Sequence, residues 1–217
     1  MSYNTDGCEG EVNSRARESG SQGGAGVGAA RSEARYNKMD VADLDLVRNL
    51  LVRRRVLALS LLIDGEPFVS QLPFAVRADT ASLLIHASSL ARHSRGLNDG
   101  ARFSALIQAA DAPDDDPFQI SRLTLTGTVR VLAPASDDYA AARSTYLEQL
   151  PTGRVTFSLA DFRLIELVVE NGRLVAGFAR TANLTAGTIK QALEGAAAVG
   201  QESAVEGGGK ERSGDSS

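Results

Sequence analysis

Two histidines, two adjacent serines and two arginines crowd into one short stretch, His86-Ala87-Ser88-Ser89-Leu90-Ala91-Arg92-His93-Ser94-Arg95. Hydroxyls and main-chain N–H groups donate to an anion, arginine adds charge-assisted hydrogen bonds, and histidine titrates near neutrality. Before the serines lies the apolar run Leu83-Leu84-Ile85, and after them Leu90, Ala91 and Leu97 recur at helix-compatible intervals. This pattern predicts a strand running into a helix N-terminus, with Ser88 or Ser89 as cap and free main-chain donors at the corner. A cofactor phosphate matches that corner. The same spacing also fits an ordinary capped helix with a solvated basic face.

Other candidate chemistry falls away on inspection. Cys8 is the sole cysteine, which excludes an intrachain disulfide and a multi-cysteine metal site. Asp111, Asp114, Asp115 and Asp116 lack the glycine and distal glutamate of a calcium loop and read as a solvated connection, so no metal is expected. The glycines from Gly23 to Gly28 follow no strand and lead into no amphipathic helix, so they are not a dinucleotide-binding loop. A net charge of −4 argues against general electrostatic binding to nucleic acid. No apolar run approaches the ~20 residues that cross a bilayer, and the N-terminus lacks the apolar core of a secretory signal. The expectation is a cytoplasmic chain with no membrane or nucleic-acid partner.

The elements that must position these residues follow from period and punctuation. Residues 1–38, rich in Gly and Ser, are expected to be disordered, as are residues 194–217. Between them, residues 39–193 form one domain. Asp40 caps a helix whose apolar stripe is Val41, Leu44, Val47 and Leu51, closed by Arg53, Arg54 and Arg55. A helix end meeting water accounts for the arginine run, with Arg55 the one to watch for an anion contact. Val56–Ile63 and Phe68–Val76 pair across Asp64-Gly65-Glu66-Pro67, and further strands are predicted at 82–85, 102–110 and 120–132. Ser136 caps a second long helix that ends at Leu150-Pro151. Asn171-Gly172 then predicts a hairpin turn between 162–170 and 173–178, and 185–193 a short last helix. Antiparallel succession with few crossover helices favours a small closed barrel of six to seven strands.

Three stretches together carry a resemblance: Asp64-Gly65-Glu66-Pro67-Phe68-Val69-Ser70-Gln71-Leu72-Pro73-Phe74, the His86 to His93 segment, and Arg122-Leu123-Thr124-Leu125-Thr126-Gly127. They resemble the pyridoxamine 5'-phosphate oxidase-like superfamily. Within it, His-Ala-Ser-x-Leu-Ala-x-His, Asp161-Phe162 and Gly177-Phe178 are similar to the haem-utilisation branch, over roughly residues 41–193. The resemblance implies a mainly β (α+β) fold, a split β-barrel of antiparallel strands with flanking helices, assembled as a homodimer with cofactor clefts between subunits. It implies FMN, its phosphate at Ser88 or Ser89 with Arg92 or His93, the ribityl chain or ring near Ser70, Gln71 and His86, and a polar contact from Arg122. The chain departs from oxidases of pyridoxamine phosphate: it has no Trp, and Gly177-Phe178-Ala179-Arg180 is not their ending. Haem-cleaving members ligate iron through a C-terminal histidine. No histidine follows His93 here, so axial ligation of haem would fall to His86 or His93.

Three functions fit these residues. One is an FMN-dependent oxidoreductase acting on a small or planar substrate, which needs no protein nucleophile because the flavin carries the chemistry. Another is a haem-binding or haem-degrading protein of the same fold. The third is an interaction module whose cleft has lost its cofactor.

Overall fold

The computed structural model describes residues 39–178 and 180–202. The expectations placed on Cys8 and the N-terminal tail, and on residues 203–217, lie outside the described residues.

Helix α1 (Val41–Arg53) starts where Asp40 accepts a hydrogen bond from the Asp43 N–H at 2.8 Å, and it buries Val47, Leu50 and Leu51. Strands β1 (Val56–Ile63) and β2 (Glu66–Pro73) pair from Val56↔Pro73 to Ile63↔Glu66 around a two-residue loop. Asp64 and Gly65 both have positive φ, 56° and 84°, the backbone that an Asp-Gly hairpin turn requires. The chain then continues as β3 (Ala75–Arg77), β4 (Ser82–Ser88), β5 (Arg102–Gln108), β6 (Arg122–Val131), α2 (Asp137–Gln149), β7 (Phe162–Gly177), β8 (Arg180–Thr185) and α3 (Ala186–Glu202).

All pairings are antiparallel, in the order β2-β1-β5-β6-β7-β4-β3, with β8 beside β7. The two ends of that order, β2 and β3, are consecutive in the chain and separated by Phe74 alone, so the sheet must curl back on itself into a split barrel. Leu59, Leu83, Ile85, Ile107, Leu123, Leu125, Ile165 and Leu167 fill its interior, plugged by α1 and α3. Eight strands stand among the described residues where six to seven were expected: the expected strand 68–76 divides into β2 and β3, the two expected at 162–170 and 173–178 are one strand, β7, and β8 is additional. Among those residues no helix is long and apolar enough to cross a membrane.

Two local expectations are corrected. Asn171-Gly172 is not a turn: β7 runs straight through it, Asn171 opposite Thr126 and Thr185, Gly172 opposite Leu125 and Leu184. Gly172 serves close packing, since a Cβ there would lie 2.9 Å from Leu125 Cδ2 and 3.3 Å from the Thr124 carbonyl oxygen. The chain turns back after Gly177, whose φ is 136°. The last helix also continues past Leu193 to Glu202.

Candidate functional site

Strands β4 and β7 have two different faces. Leu83, Ile85 and Ala87 point into the barrel, while Leu84, Ser82 and His86 point outward with Phe162, Leu164 and Glu166 of β7. Helix α2 and the 3-10 segment Pro151–Ser158 lie over the outer face and bury Ala142, Tyr146 and Leu150 against Leu84 and Leu164. At one end of this layer Glu166, 1% exposed, sits between Arg77 and Arg130. Asp138 of α2 bonds both arginines, at 2.6 and 2.7 Å, and the Arg77 guanidinium holds its carboxyl below the usual range. Gln149 near the other end of α2 bonds both the N–H and the carbonyl of Val76, at 2.8 and 2.7 Å, completing the edge of β3. The helix is thereby anchored at both ends.

Between α2 and the ends of β2 and β4 opens a cavity of about 470 Å³, a size that suits a small-molecule or cofactor site. Its wall is largely apolar, from Leu72, Pro73, Tyr146, Leu150 and Phe162, and its polar groups are His86, His93, Arg55, Ser88, Thr152 and Thr156. His86 is 7% exposed and stacks on Phe157, centroids 3.8 Å apart and planes inclined by 13°. Its Nδ1 lies 2.8 Å from Thr156 Oγ1, and that hydroxyl spends its single proton on the Gly153 carbonyl at 2.7 Å. Nδ1 must therefore carry the hydrogen and donate, which leaves Nε2 a bare lone pair. Burial, reinforced by the nearby Arg143 guanidinium, pushes the His86 pKa down to about 4, so the ring is neutral at physiological pH. Burial also lowers the pKa of His93, whose Nε2 is buried with no hydrogen-bond partner among the described residues.

The serine corner differs from its expectation. The 3-10 turn Arg92–Gly96 has Ala91 at its N-cap and no side-chain cap, so neither Ser88 nor Ser89 caps a helix. The main-chain donors are taken by protein: Ser89 N–H by the Asp161 carbonyl at 2.7 Å, Leu90 N–H by Ser88 Oγ at 3.2 Å, and Ala91 N–H by the Ser88 carbonyl at 3.2 Å. Ser88 Oγ itself donates to Asp161 Oδ2 at 2.5 Å. The corner is a self-satisfied turn, because Asp161, far along the chain, supplies the anion that the sequence pattern left open.

The remaining expected residues are distributed. His86, Ser88 and His93 line the cavity, whereas Gln71 and the Ser70 backbone border a separate depression on the outer face of β1, β2 and β5. Ser70 pairs with Leu59, so its side chain takes the opposite face of β2 from Gln71, and its Oγ is buried without a partner among the described residues. Ser89 is exposed, and the Arg92 guanidinium lies over the Phe68 ring at 4.8 Å. Arg122, exposed at the start of β6, reaches among the described residues only the Ile120 carbonyl, at 3.4 Å. Sequence reasoning missed Thr156, Phe157 and Phe162 as site residues. Tyr146 carried only a helix-face signal, and Thr156 carried none.

No family model and no curated protein matches the chain. Among solved structures, a haem-binding protein from Mycobacterium smegmatis superposes with a TM-score of 0.60 at 25% identity, over 75% of this chain and 68% of that one. HutZ, a haem storage protein from Vibrio cholerae, gives a TM-score of 0.51 at 23% identity over 57% and 87%. A pyridoxinephosphate oxidase family protein from Clostridium acetobutylicum gives 0.52 at 13% identity over 70% and 99%. The latter two similarities concern the fold.

Proposed function

On the premise that this chain is a split barrel of the pyridoxamine 5'-phosphate oxidase-like kind, with the pattern of the haem-utilisation branch, we propose that it binds haem in the cavity under α2. The observation that carries the reading is His86: a neutral imidazole whose Nδ1–H is committed to Thr156 and whose Nε2 is left as an electron-pair donor. Metal-bound histidines have this arrangement, the second nitrogen's hydrogen bond fixing tautomer and ring orientation. Haem, when bound, supplies an iron centre whose reactivity depends on that ligand and on the polarity around it. Phe157 holds the imidazole plane by stacking, and Phe162, Leu72 and Leu150 exclude water from an apolar body. The structure of a haem-binding protein at 25% identity supports the same choice.

The test is a haemin titration of the protein and of His86→Ala and His93→Ala. The expected result is a Soret band shifted from that of free haemin, changed in His86→Ala and retained in His93→Ala. Spectra identical across all three proteins would overturn the ligand assignment.

A second reading, an FMN-binding oxidoreductase acting on a small or planar substrate, is favoured by the unpartnered His93 Nε2 in the same cavity, with Arg92 beside it in sequence. It predicts yellow protein releasing about one FMN per subunit; colourless protein that ignores added FMN would refute it. Under either reading we propose a homodimer, because the outer face of β1 and β2 leaves Leu62 and Val69 more than 60% exposed, 63% and 61%. Sedimentation showing only monomer at micromolar concentration would refute that.

A further inference from the structure

We infer that Arg55 forms an anion subsite at the mouth of the cavity under α2, and that it takes the carboxylate or phosphate arm of a planar ligand seated inside. The inference rests on the cavity being the seat of such a ligand, as proposed above. Arg55 and Leu150 line both this cavity and a second one of about 360 Å³, which lies between the end of α1, β3 and α2. The two spaces are therefore adjacent across the Arg55–Leu150 pair. Arg53 and Arg54 line the second.

Charge distribution points the same way. The chain carries 27 acidic residues against 23 basic ones, yet among the described residues no carboxylate lines either space. Arg53, Arg54 and Arg55 form no ion pair with any described residue, which leaves their charge free for a ligand, a condition they share with Arg92, Arg122, Arg143, Arg154, Arg163 and Arg173.

Compensation of the helix dipole accounts for Arg53, the last residue of α1. It does not account for Arg55. The backbone turns extended at Arg54 (φ −92°, ψ 145°), so successive side chains diverge: Arg54 borders the second space and the depression on the outer sheet, and of the three arginines Arg55 alone borders the cavity under α2. The Arg55 carbonyl accepts from the Phe74 N–H at 3.0 Å, which fixes the backbone at the site where the barrel closes. Arg55 is exposed, and its guanidinium, with no protein partner among the described residues, can swing over the largely apolar cavity and pair in bidentate fashion with a carboxylate or phosphate on a ligand whose body is buried below.

The experiment measures four dissociation constants on the full chain: haemin against its dimethyl ester, and FMN against riboflavin, for wild type and for Arg55→Gln, with Arg53→Gln as comparison. Each pair shares a planar body and differs in acidic arms, carboxylate in one and phosphate in the other. Wild type is expected to favour the acidic member of at least one pair by about tenfold or more, as a charge-assisted contact allows. Arg55→Gln should reduce that preference to below about threefold and leave the neutral member's affinity unchanged, and Arg53→Gln should retain most of it. Equal affinity within both pairs in wild type, or a preference that survives in Arg55→Gln, overturns the subsite while leaving the cavity reading intact. Failure of all four probes to bind overturns both. Matching circular dichroism and melting temperature of the variants secures the comparison.

Discussion

The two faces of β4 and β7 are built by different rules. The barrel side is apolar at Leu83, Ile85, Ala87, Ile165 and Leu167, and the polar residue on it, Arg163, stands at the barrel's end opposite Ala87 and donates to the Ser94 carbonyl. The side under α2 alternates apolar residues, Leu84 and Leu164, with buried polar ones, Ser82, His86 and Glu166. The barrel interior is closed by the sheet itself, and any polar group there would lack partners on every side. The outer layer is closed by a helix and a 3-10 segment that bring their own polar groups, Asp138, Gln149 and Thr156, so buried polarity can be satisfied and a cavity kept open. Rigidity resides in one face of these strands and chemistry in the other.

The largest expected effect breaks the barrel side. Gly127 sits at a register shift between β6 and β7, and a Cβ there would lie 1.8 Å from the Val168 carbonyl oxygen. Gly127→Ala should cost at least about 3 kcal/mol in urea unfolding, because the obstacle is backbone and cannot step aside.

A sharper contrast comes from two adjacent, fully buried residues of β4. Ile85→Ala should lose about 3 kcal/mol of stability and keep haemin affinity, whereas Leu84→Ala should lose about as much or less and also weaken haemin binding, since it underlies α2. Equal ligand effects in the two variants would erase the distinction between the faces.

His86 should give the outer layer a pH signature. Its folded pKa, about 4, lies below the ordinary 6.5, so between those values the unfolded state takes up a proton that the folded state refuses. Stability should be full above pH 6.5 and fall as pH drops toward 4, by up to about 3 kcal/mol. In His86→Gln that slope should be reduced to the contribution of His93. A smaller change is expected from Thr156→Val, about 1 kcal/mol, with ring ¹⁵N shifts of His86 reporting loss of the fixed Nδ1–H tautomer. Smallest is Arg102→Ala, which opens an exposed pair with Glu170 and should cost under about 1 kcal/mol.

Much of the frame was legible. The Asp40 cap, the Asp64-Gly65 turn and the alternation of β6 are local features whose energies depend on neighbours a few residues away, and each was found where the sequence placed it. Asn171-Gly172 misled because its turn preference is worth less than two strand pairings, one on each side of β7. The serine corner misled because Asp161 satisfies it from the other end of the fold. Of the cavity, His86 and His93 stood out by residue type, while Thr156 could not, being an ordinary polar residue until a hydrogen bond joins it to a histidine 70 positions away.

Sequence alone determined the antiparallel kind of the sheet, the first hairpin and the starts of the two long helices α1 and α2, because hydrophobic period, caps and tight turns are short-range preferences written in consecutive residues. Tertiary structure decided which face of β4 would be chemical, which nitrogen of His86 would be bare and which arginine would reach the cavity. Those outcomes depend on groups meeting across long stretches of chain, and only closure of the barrel brings them within hydrogen-bonding distance.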